Sequence, residues 1–527
     1  MSWEIPAAEA KALVHDGAEI AFLDLREAGE FGEGHPLFAV PCPYSTLEAR
    51  IAELVPRRDV RVLLIDGGDG VAVRAAAALE SLGYRDVLLV AGGTPGWAVA
   101  GYTLFKGVNV PSKTLGELAE HAWHPATIDA PTLKRWQDEG RPFGFFDARP
   151  PAEYAKMRVP GAVCLPNGEL AHRFPAAVRD SEAPVVVTCA GRTRGIVGVL
   201  GLRLAGIDAP VYALENGTQG WQLAGFALER GNTAAPYPAL DAAAAATTRA
   251  RADAFLARHG IACLDAAGID AWRDDRGRST YLFDLRTPEE IAAAPAPAFR
   301  PALSGQLVQA TDQWVGVRHA RLVLLDDLGL RAAIAAFWLR QLGYEVAVAR
   351  LDNALCALRP AGEVPRLPEV AAVPAPEALR DLQAGRGQLV DLRSSTAYRE
   401  EHVAGALWGI RPRLGRLGLD PGRVVHLVGA AEAATALAAA ELAGLGFGQV
   451  FAVAGGHAAL VTAGAGVEAS ADAPPPHEAI DFLRFVHDRH DGNLEASRRY
   501  LAWEQGLIAQ LDDAERADFA LSDTVGV

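Results

Sequence analysis

The sequence predicts an α/β protein of four similar repeats, each a mostly parallel sheet flanked by helices, followed by a helical C-terminal tail. Two observations lead to this prediction. An apolar run ending in Asp-x-Arg occurs four times along the 527 residues. A second apolar run follows each motif at similar spacing and leads into a helical stretch. Alternating short strands and helices favour parallel strands joined by helical crossovers.

The repeats keep their register closely. The motifs begin at Asp24, Asp147, Asp284 and Asp391. The position after the second strand lies 42 residues beyond the Asp in three repeats and 38 in the fourth, and holds Asp66, Cys189, Asp326 and Gly429. A glycine follows 17 residues later in each repeat, at Gly83, Gly206, Gly343 and Gly446. Such agreement indicates related structures rather than chance matching.

Each repeat spans about 110–120 residues, which is enough for an independently folding domain. The predicted domains are 1–108, 109–235, 245–364 and 365–472, and residues 473–527 form the tail. Apolar residues of the tail recur at helical spacing. This spacing predicts two or three helices docked on a domain or on a partner.

The composition excludes several classes of function. A net charge of −15 argues against nucleic acid or an anionic membrane as partner, so an anion site must be a local basic pocket. No apolar run reaches the length of a membrane span, and the first residues lack a signal-peptide pattern. The five cysteines form no C-x-x-C pair and no metal-ligand spacing. We therefore expect no metal or cofactor, no disulfide framework and a cytoplasmic location.

Cys189 is the candidate nucleophile. It stands between the apolar run Val185–Thr188 and a helical stretch from Gly195 to Leu204, in the segment Cys-Ala-Gly-Arg-Thr-Arg. Backbone N–H groups converge at such a strand-to-helix junction, and the helix dipole is positive there. Arg192 and Arg194 add positive charge. We expect these features to lower the pKa of the thiol below its usual value of about 8.5.

The other repeats lack this combination. Asp66 and Asp326 place negative charge at the position of Cys189, and Gly429 offers neither a nucleophile nor a charge. Five residues further on, only the second and third repeats carry an arginine, Arg194 and Arg331. The second repeat is therefore predicted to be the one catalytic repeat.

Several stretches of the second repeat together resemble rhodanese-homology domains, the fold of thiosulfate and 3-mercaptopyruvate sulfurtransferases. They are Asp147–Tyr154, Val159–Ala162, the Cys-x-x-x-x-Arg loop from Cys189 to Arg194, and Glu215–Trp221. The first repeat keeps Gly34-His35-Pro36, and the fourth keeps Glu401–Ala406. The third repeat is the most divergent. The resemblance covers about residues 1–470.

The resemblance implies covalent catalysis, in which Cys189 takes the outer sulfur of an anionic donor and passes it to a thiol or to cyanide. Ala190 and Gly191 would lend backbone N–H groups to a nest around the sulfur. Arg194 would close the loop and, with Arg192, attract a donor such as thiosulfate. Thr193 either donates to the bound anion or caps the following helix.

Two further residues belong to the predicted substrate side. Asn216 lies at a strand end that faces the same crevice as the loop. Arg149 is also a candidate there, although its recurrence as Arg26, Arg286 and Arg393 in repeats without a nucleophile favours a structural ion pair. Cys42 and Cys164 are expected to be buried thiols, with Cys164 as an alternative resolving cysteine. Cys263 and Cys356 are expected in the core.

Two alternatives remain. Phosphatases with a similar loop have five residues between Cys and Arg, whereas this loop has four, which favours sulfur chemistry over phosphate or arsenate. The other alternative is a persulfide carrier or binding scaffold that works with a partner enzyme instead of turning over small donors. A protein partner or a second copy of the chain could then bind the inactive repeats or the tail.

Overall fold

The computed structural model describes residues 3–178, 180, 182–360, 366–484 and 493–521. The chain forms two compact units. Compact unit 1 consists of Met1–Ala12, Ala21–Val108 and Gly362–His487. Compact unit 2 consists of Leu13–Ile20, Asn109–Ala361 and Asp488–Val527. Four sheets of four or five strands carry the α/β architecture that the sequence predicts.

The first repeat contains a sheet with the order β1-β5-β4-β2-β3. Its strands are β1 (Trp3–Ile5), β2 (Ile20–Asp24), β3 (Val40–Pro41), β4 (Arg61–Ile65) and β5 (Val87–Val90). Its helices are α1 (Ala7–Val14), α2 (Ala28–Glu33), α3 (Leu47–Leu54), α4 (Val71–Ser81) and α5 (Gly93–Val99), with a 3-10 turn at Tyr44–Thr46. Strand β2 ends at the Asp of the repeated motif, as predicted.

The second repeat contains a sheet with the order β6-β10-β9-β7-β8. Its strands are β6 (Thr127–Ile128), β7 (Gly144–Asp147), β8 (Val163–Cys164), β9 (Val185–Thr188) and β10 (Val211–Leu214). Its helices are α6 (Val110–Trp123), α7 (Ala130–Asp138), α8 (Pro151–Lys156), α9 (Asn167–His172), α10 (Phe174–Ala177), α11 (Thr193–Leu204) and α12 (Gly217–Leu223). This sheet positions Cys189.

The third repeat contains a four-stranded sheet with the order β12-β11-β13-β14. Its strands are β11 (Thr280–Asp284), β12 (Arg300–Pro301), β13 (Arg321–Asp326) and β14 (Glu345–Arg350). Its helices are α13 (Ala242–His259), α14 (Ala266–Asp274), α15 (Pro288–Ala293), α16 (Ser304–Gln309), α17 (Leu330–Gln341) and α18 (Asn353–Cys356), with a 3-10 turn at Thr311–Gln313. Its described strand pairs are parallel.

The fourth repeat contains a sheet with the order β15-β20-β19-β16-β18 and a separate antiparallel pair, β17-β21. Its strands are β15 (Ala372–Pro374), β16 (Gly387–Asp391), β17 (His402–Val403), β18 (Leu407–Trp408), β19 (Val424–Val428), β20 (Val450–Ala454) and β21 (Val467–Glu468). Its helices are α19 (Ala375–Gln383), α20 (Ser395–Glu400), α21 (Glu432–Gly444) and α22 (Gly456–Thr462), with a 3-10 segment at Arg411–Arg416.

The tail is helical between Leu494 and Ala517, whereas residues 473–483 form turns and bends rather than a predicted helix. It contains α23 (Leu494–Gln505), a 3-10 turn at Ile508–Gln510 and α24 (Asp513–Ala517). Helix α23 packs against α6 and α12 within compact unit 2. Among the described residues, no helix is both long enough and apolar enough to span a membrane.

The position of β9 between two hydrophobic clusters explains why an apolar run precedes Cys189. Val185 and Val187 pack into one hydrophobic cluster of the second repeat, and Val186 packs into another. Successive side chains of a strand point to opposite faces, so a strand covered on both faces needs apolar residues at every position. Packing on both faces fixes the position of β9. Cys189 therefore lies at the carboxyl end of this strand, at the edge of the sheet.

Candidate functional site

Cys189 follows directly after β9, and α11 begins four residues later at Thr193. The helix therefore starts two residues earlier than the sequence predicts. The Cys189 side chain is buried, with the residue 2% exposed. Its thiol donates a weak hydrogen bond to the Arg192 carbonyl at 3.8 Å.

The first residues of helix α12 donate hydrogen bonds to backbone carbonyl groups of the loop. The Thr218 N–H donates to the Cys189 carbonyl at 2.8 Å, and the Gln219 N–H donates to the Ala190 carbonyl at 3.2 Å. The Thr218 hydroxyl also donates to the Ala190 carbonyl, at 3.2 Å. Because these carbonyls turn toward α12, N–H groups of the loop are left for the sulfur. The N–H groups of Gly191 and Gly195 are the ones that stabilise the thiolate.

The prediction that the pKa of the Cys189 thiol is lowered is wrong. The pKa of Cys189 is raised, chiefly because burial penalises the charged thiolate. Arg194 and the Gly191 and Gly195 N–H groups favour the thiolate, but they do not outweigh burial, and the Glu504 carboxylate adds to the penalty. The residues near Cys189 in the sequence include the groups that lower its pKa. The residues that bury the thiol and raise its pKa lie elsewhere in the sequence, so the loop alone could not show them.

Both loop arginines lie at the site, and both are already paired. The Arg194 guanidinium makes a bidentate ion pair with Glu153, with N–O distances of 2.6 and 2.7 Å. Arg192 donates to both carboxylate oxygens of Glu117, at 2.8 and 3.1 Å, and to Glu120. Its NH1 group also reaches Asn216 Oδ1 at 3.5 Å, which places Asn216 beside the loop. The basic pocket that the sequence predicts therefore also contains the carboxylates that pair with its two arginines.

Helix α23 brings a carboxylate to the loop that sequence reasoning missed. The Thr193 hydroxyl donates to Glu504 Oε1 at 2.7 Å, and both residues are buried. Gly191 faces the same helix, since a Cβ built on it would lie 3.1 Å from Glu504 Oε2 and 3.5 Å from a Tyr500 ring carbon. Thr193 therefore does donate to an anionic group, but that group belongs to the protein. The sequence showed helical spacing in the tail, but it gave no sign that the tail helix contacts the loop of Cys189.

Arg149 takes no part in the contacts described above and binds other partners. Its guanidinium binds the Asp147 carboxylate at 2.9 and 2.6 Å and donates to the Met157 carbonyl at 2.6 Å. The corresponding arginines of the other repeats make the same pair with the Asp two positions earlier: Arg26 with Asp24, Arg286 with Asp284, and Arg393 with Asp391. This geometry agrees with the structural ion pair that the recurrence favours.

The loops of the first and third repeats hold carboxylates where the second holds sulfur. Asp66 accepts hydrogen bonds from the N–H groups of Gly68 and Ala72, two and six residues later. Gly191 and Gly195 lie at the same two offsets from Cys189. In the third repeat, Asp326 accepts from the N–H groups of Gly329 and Arg331. The loop is therefore an anion-binding nest, and in these repeats the chain's own carboxylate fills it.

One cluster has the composition of a metal site. Ligand atoms of His172, Asp326 and Asp327 lie within 4.8 Å of one another. The Arg331 guanidinium binds Asp326 at 2.8 Å and Asp327 at 2.7 Å, so a positive charge already occupies the place that a cation would take. The cluster does not fit a metal ion.

The remaining cysteines divide into two groups. Cys42 and Cys164 are buried as predicted, and burial raises the pKa of each thiol to about 12. The core prediction for the other two is wrong, because Cys263 is exposed and Cys356 is only half-buried. Cys263 makes an isolated parallel bridge to Val348 of β14, the last strand of the sheet order, and so lies at the edge of that sheet.

Comparisons with known proteins identify the family to which the chain belongs. The family model of the rhodanese-like domain matches residues 6–100 and 129–224. The crystal structure of a thiosulfate sulfurtransferase from Pseudomonas aeruginosa is 38% identical, with a TM-score of 0.89 over 99% of each chain.

Shorter structures match single segments. The Alr3790 protein from Anabaena sp. is 25% identical over 19% of this chain and 93% of that chain, with a TM-score of 0.18. A rhodanese-related protein from Thermoplasma volcanium is 22% identical over 20% and 97%, with a TM-score of 0.17. A search of curated proteins found no match.

Proposed function

Since this chain belongs to the rhodanese-like family of sulfurtransferases, we propose that it transfers a sulfane sulfur through a persulfide on Cys189. The donor is a thiosulfate-like anion and the acceptor is a thiol or cyanide. The Cys189 thiolate attacks the outer sulfur of the donor, the S–S bond of the donor breaks, and sulfite leaves with its electron pair. An acceptor thiolate then attacks the outer sulfur of the persulfide and releases the Cys189 thiolate.

The observation that carries the proposal is the nest around the sulfur. The N–H groups of Gly191 and Gly195 stabilise negative charge on Cys189, and the same offsets in the first repeat bind the Asp66 carboxylate. A persulfide anion spreads its charge over two sulfur atoms and gains from the same donors. Arg194 stands close enough to Cys189 to favour the charged form.

Peptide mass spectrometry, after the full-length protein has been treated with donor and digested, tests this function. Incubation with thiosulfate should add about 32 Da, one sulfur atom, to the peptide that contains Cys189. Cys189→Ser should remove this adduct and abolish turnover. Cys263→Ser is the matched control, because Cys263 is exposed and stands outside the loop. Full activity of Cys189→Ser would exclude the persulfide mechanism.

A carrier function is the second candidate, and the burial of Cys189 favours it. A buried thiol, on a loop that α23 contacts at Gly191 and Thr193, could receive sulfur from a partner enzyme rather than from a free anion. Assays with thiosulfate, 3-mercaptopyruvate and glutathione persulfide separate the two functions. A carrier would turn over none of these donors and would still gain a persulfide from its partner.

We propose that the other three repeats are domains without catalysis, with the boundaries 1–108, 245–364 and 365–472 flanking the catalytic domain 109–235. The occupied nests of Asp66 and Asp326 support this role. Such domains and the tail would serve as scaffold or as surface for a partner protein or a second copy. The five free cysteines suit a reducing compartment, which supports a cytoplasmic location.

A further inference from the structure

Glu504 is an unusual group to find beside a sulfur-transfer loop. It is 2% exposed, and its Oε1 atom accepts the Thr193 hydroxyl at 2.7 Å. Its Oε2 atom is buried and has no hydrogen-bond partner among the residues that the structure describes. That oxygen lies next to Gly191 in the middle of the loop. A charge in a buried position is screened less than one in water, so a negative charge on Glu504 acts on whatever approaches the loop.

The cationic side chains near the loop interact with carboxylates other than that of Glu504. Arg194 is paired with Glu153, and Arg192 is paired with Glu117 and Glu120. Lys113 lies over the rings of Trp503 and Tyr500, at 4.9 and 5.6 Å from their centroids, and acts on the buried Asp312 carboxylate. Glu504 therefore adds a negative charge to a site whose arginines already have carboxylate partners.

We propose that Glu504 is a specificity-determining residue, which makes the Cys189 site favour singly charged sulfane-sulfur donors over dianionic ones such as thiosulfate. This inference rests on the proposed function and narrows its donor class. Every negative charge on the donor is repelled by the Oε2 atom, so a second charge doubles the repulsion. Glu504 also raises the pKa of the Cys189 thiol, but that effect is the same for every donor and cancels when two donors are compared.

Two donors that differ by one charge test the assignment. Methanethiosulfonate carries one negative charge and thiosulfate carries two, and each donates a terminal sulfur bonded to a sulfonyl-type sulfur. Glu504→Gln keeps an acceptor for Thr193 and removes the charge. We expect it to raise kcat/KM for thiosulfate at least tenfold and that for methanethiosulfonate less than threefold. Glu495→Gln is the matched control, since Glu495 lies exposed on the same helix.

Alkylation of Cys189 supplies a measurement that needs no sulfur transfer. Iodoacetate is an anion and iodoacetamide is neutral, and both react with the thiolate, so the ratio of their rates cancels any change in thiol pKa. The rates are followed on the Cys189 peptide, because Cys263 is also accessible. We expect the ratio of iodoacetate to iodoacetamide rates to rise about tenfold in Glu504→Gln and to stay unchanged in Glu495→Gln.

The outcomes separate the two proposals. If the alkylation ratio rises and no donor places sulfur on Cys189, the charge assignment stands and the sulfurtransferase function fails. If donors load Cys189 and neither ratio changes in Glu504→Gln, the assignment to Glu504 is overturned. A Cys189 that neither alkylating reagent modifies in Glu504→Gln overturns it as well.

Discussion

Gly217 lies so close to the backbone of Cys189 that a Cβ atom on it would stand 2.2 Å from the Cys189 carbonyl oxygen. Its backbone is left-handed, with a φ of 53°, at the start of α12. The next N–H group, that of Thr218, donates to the same carbonyl. The turn before α12 thus sets the orientation of the peptide that follows the nucleophile, and only glycine leaves room for it.

Gly217→Ala should therefore disturb the loop as well as the turn. We expect at least a tenfold loss in the rate of sulfur transfer and a loss of about 1–3 kcal/mol in the free energy of unfolding. Gly225→Ala is the matched control, because Gly225 also has a positive φ, 88°, and a Cβ added to it would have no atom within 4 Å. It should lose stability through backbone strain and keep its activity. Equal activity of the two variants would contradict the argument.

Arg331 is the centre of a buried ion network. Its guanidinium contacts the carboxylates of Asp326, Asp327, Glu169 and Glu290 at 2.7–2.8 Å, and the residue is 1% exposed. Arg331→Met would leave these carboxylates without their shared cation. We expect the free energy of unfolding to fall by about 3–5 kcal/mol, as measured by chemical denaturation.

The exposed Arg276 supplies the control for this variant. Arg276→Met removes the same charge and should change stability by less than about 0.5 kcal/mol. If Arg331→Met is as stable as the control, the repulsion among the carboxylates is relieved by proton uptake or by water. In that case the network contributes no net stability.

The elements of the fold could be predicted because their signals are local. Strands that are buried on both faces read as short apolar runs, and a glycine in the left-handed region closes the helix after each second strand, as at Gly206 and Gly343. The composition of the compact units could not be predicted. Compact unit 1 joins the first repeat to the fourth through contacts such as Arg411 with Glu48, and no local pattern identifies partners so far apart in sequence.

The site divides in the same way. Cys189, Arg192 and Arg194 occupy one loop, so their proximity follows from the strand-to-helix turn. Glu117 and Glu504 reach that loop from helices far away in the sequence. Glu117 pairs with Arg192, and Glu504 adds to the rise in the thiol pKa that burial mainly causes. Burial of the thiol by distant parts of the chain cannot be seen in the loop sequence, so the loop alone predicted the wrong direction for that pKa.

The reactivity of Cys189 should follow pH without an early plateau. The pKa of the thiol is raised by burial, so the thiolate is a minor species near neutral pH. We expect the rate of iodoacetamide alkylation at Cys189 to grow about tenfold per pH unit from about pH 7 to 8.5. Arg194→Gln should lower the rate at each of these pH values, because Arg194 favours the thiolate. A plateau below about pH 7 would show a thiol with a lowered pKa instead.

Glu117 should make stability depend on pH. Burial raises the pKa of its carboxyl from 4.5 to about 7, against the opposing effect of Arg192. The folded protein therefore binds an extra proton between these values, and the contribution of Glu117 to stability is lost as pH rises from about 4.5 through about 7. Glu117→Gln lacks this titration. The free energy of unfolding of the wild type, relative to that of Glu117→Gln, should fall by about 3 kcal/mol across this range. A difference that stays constant with pH would mean that Arg192 keeps Glu117 ionised throughout, and the carboxyl would then act as a permanent partner of that guanidinium.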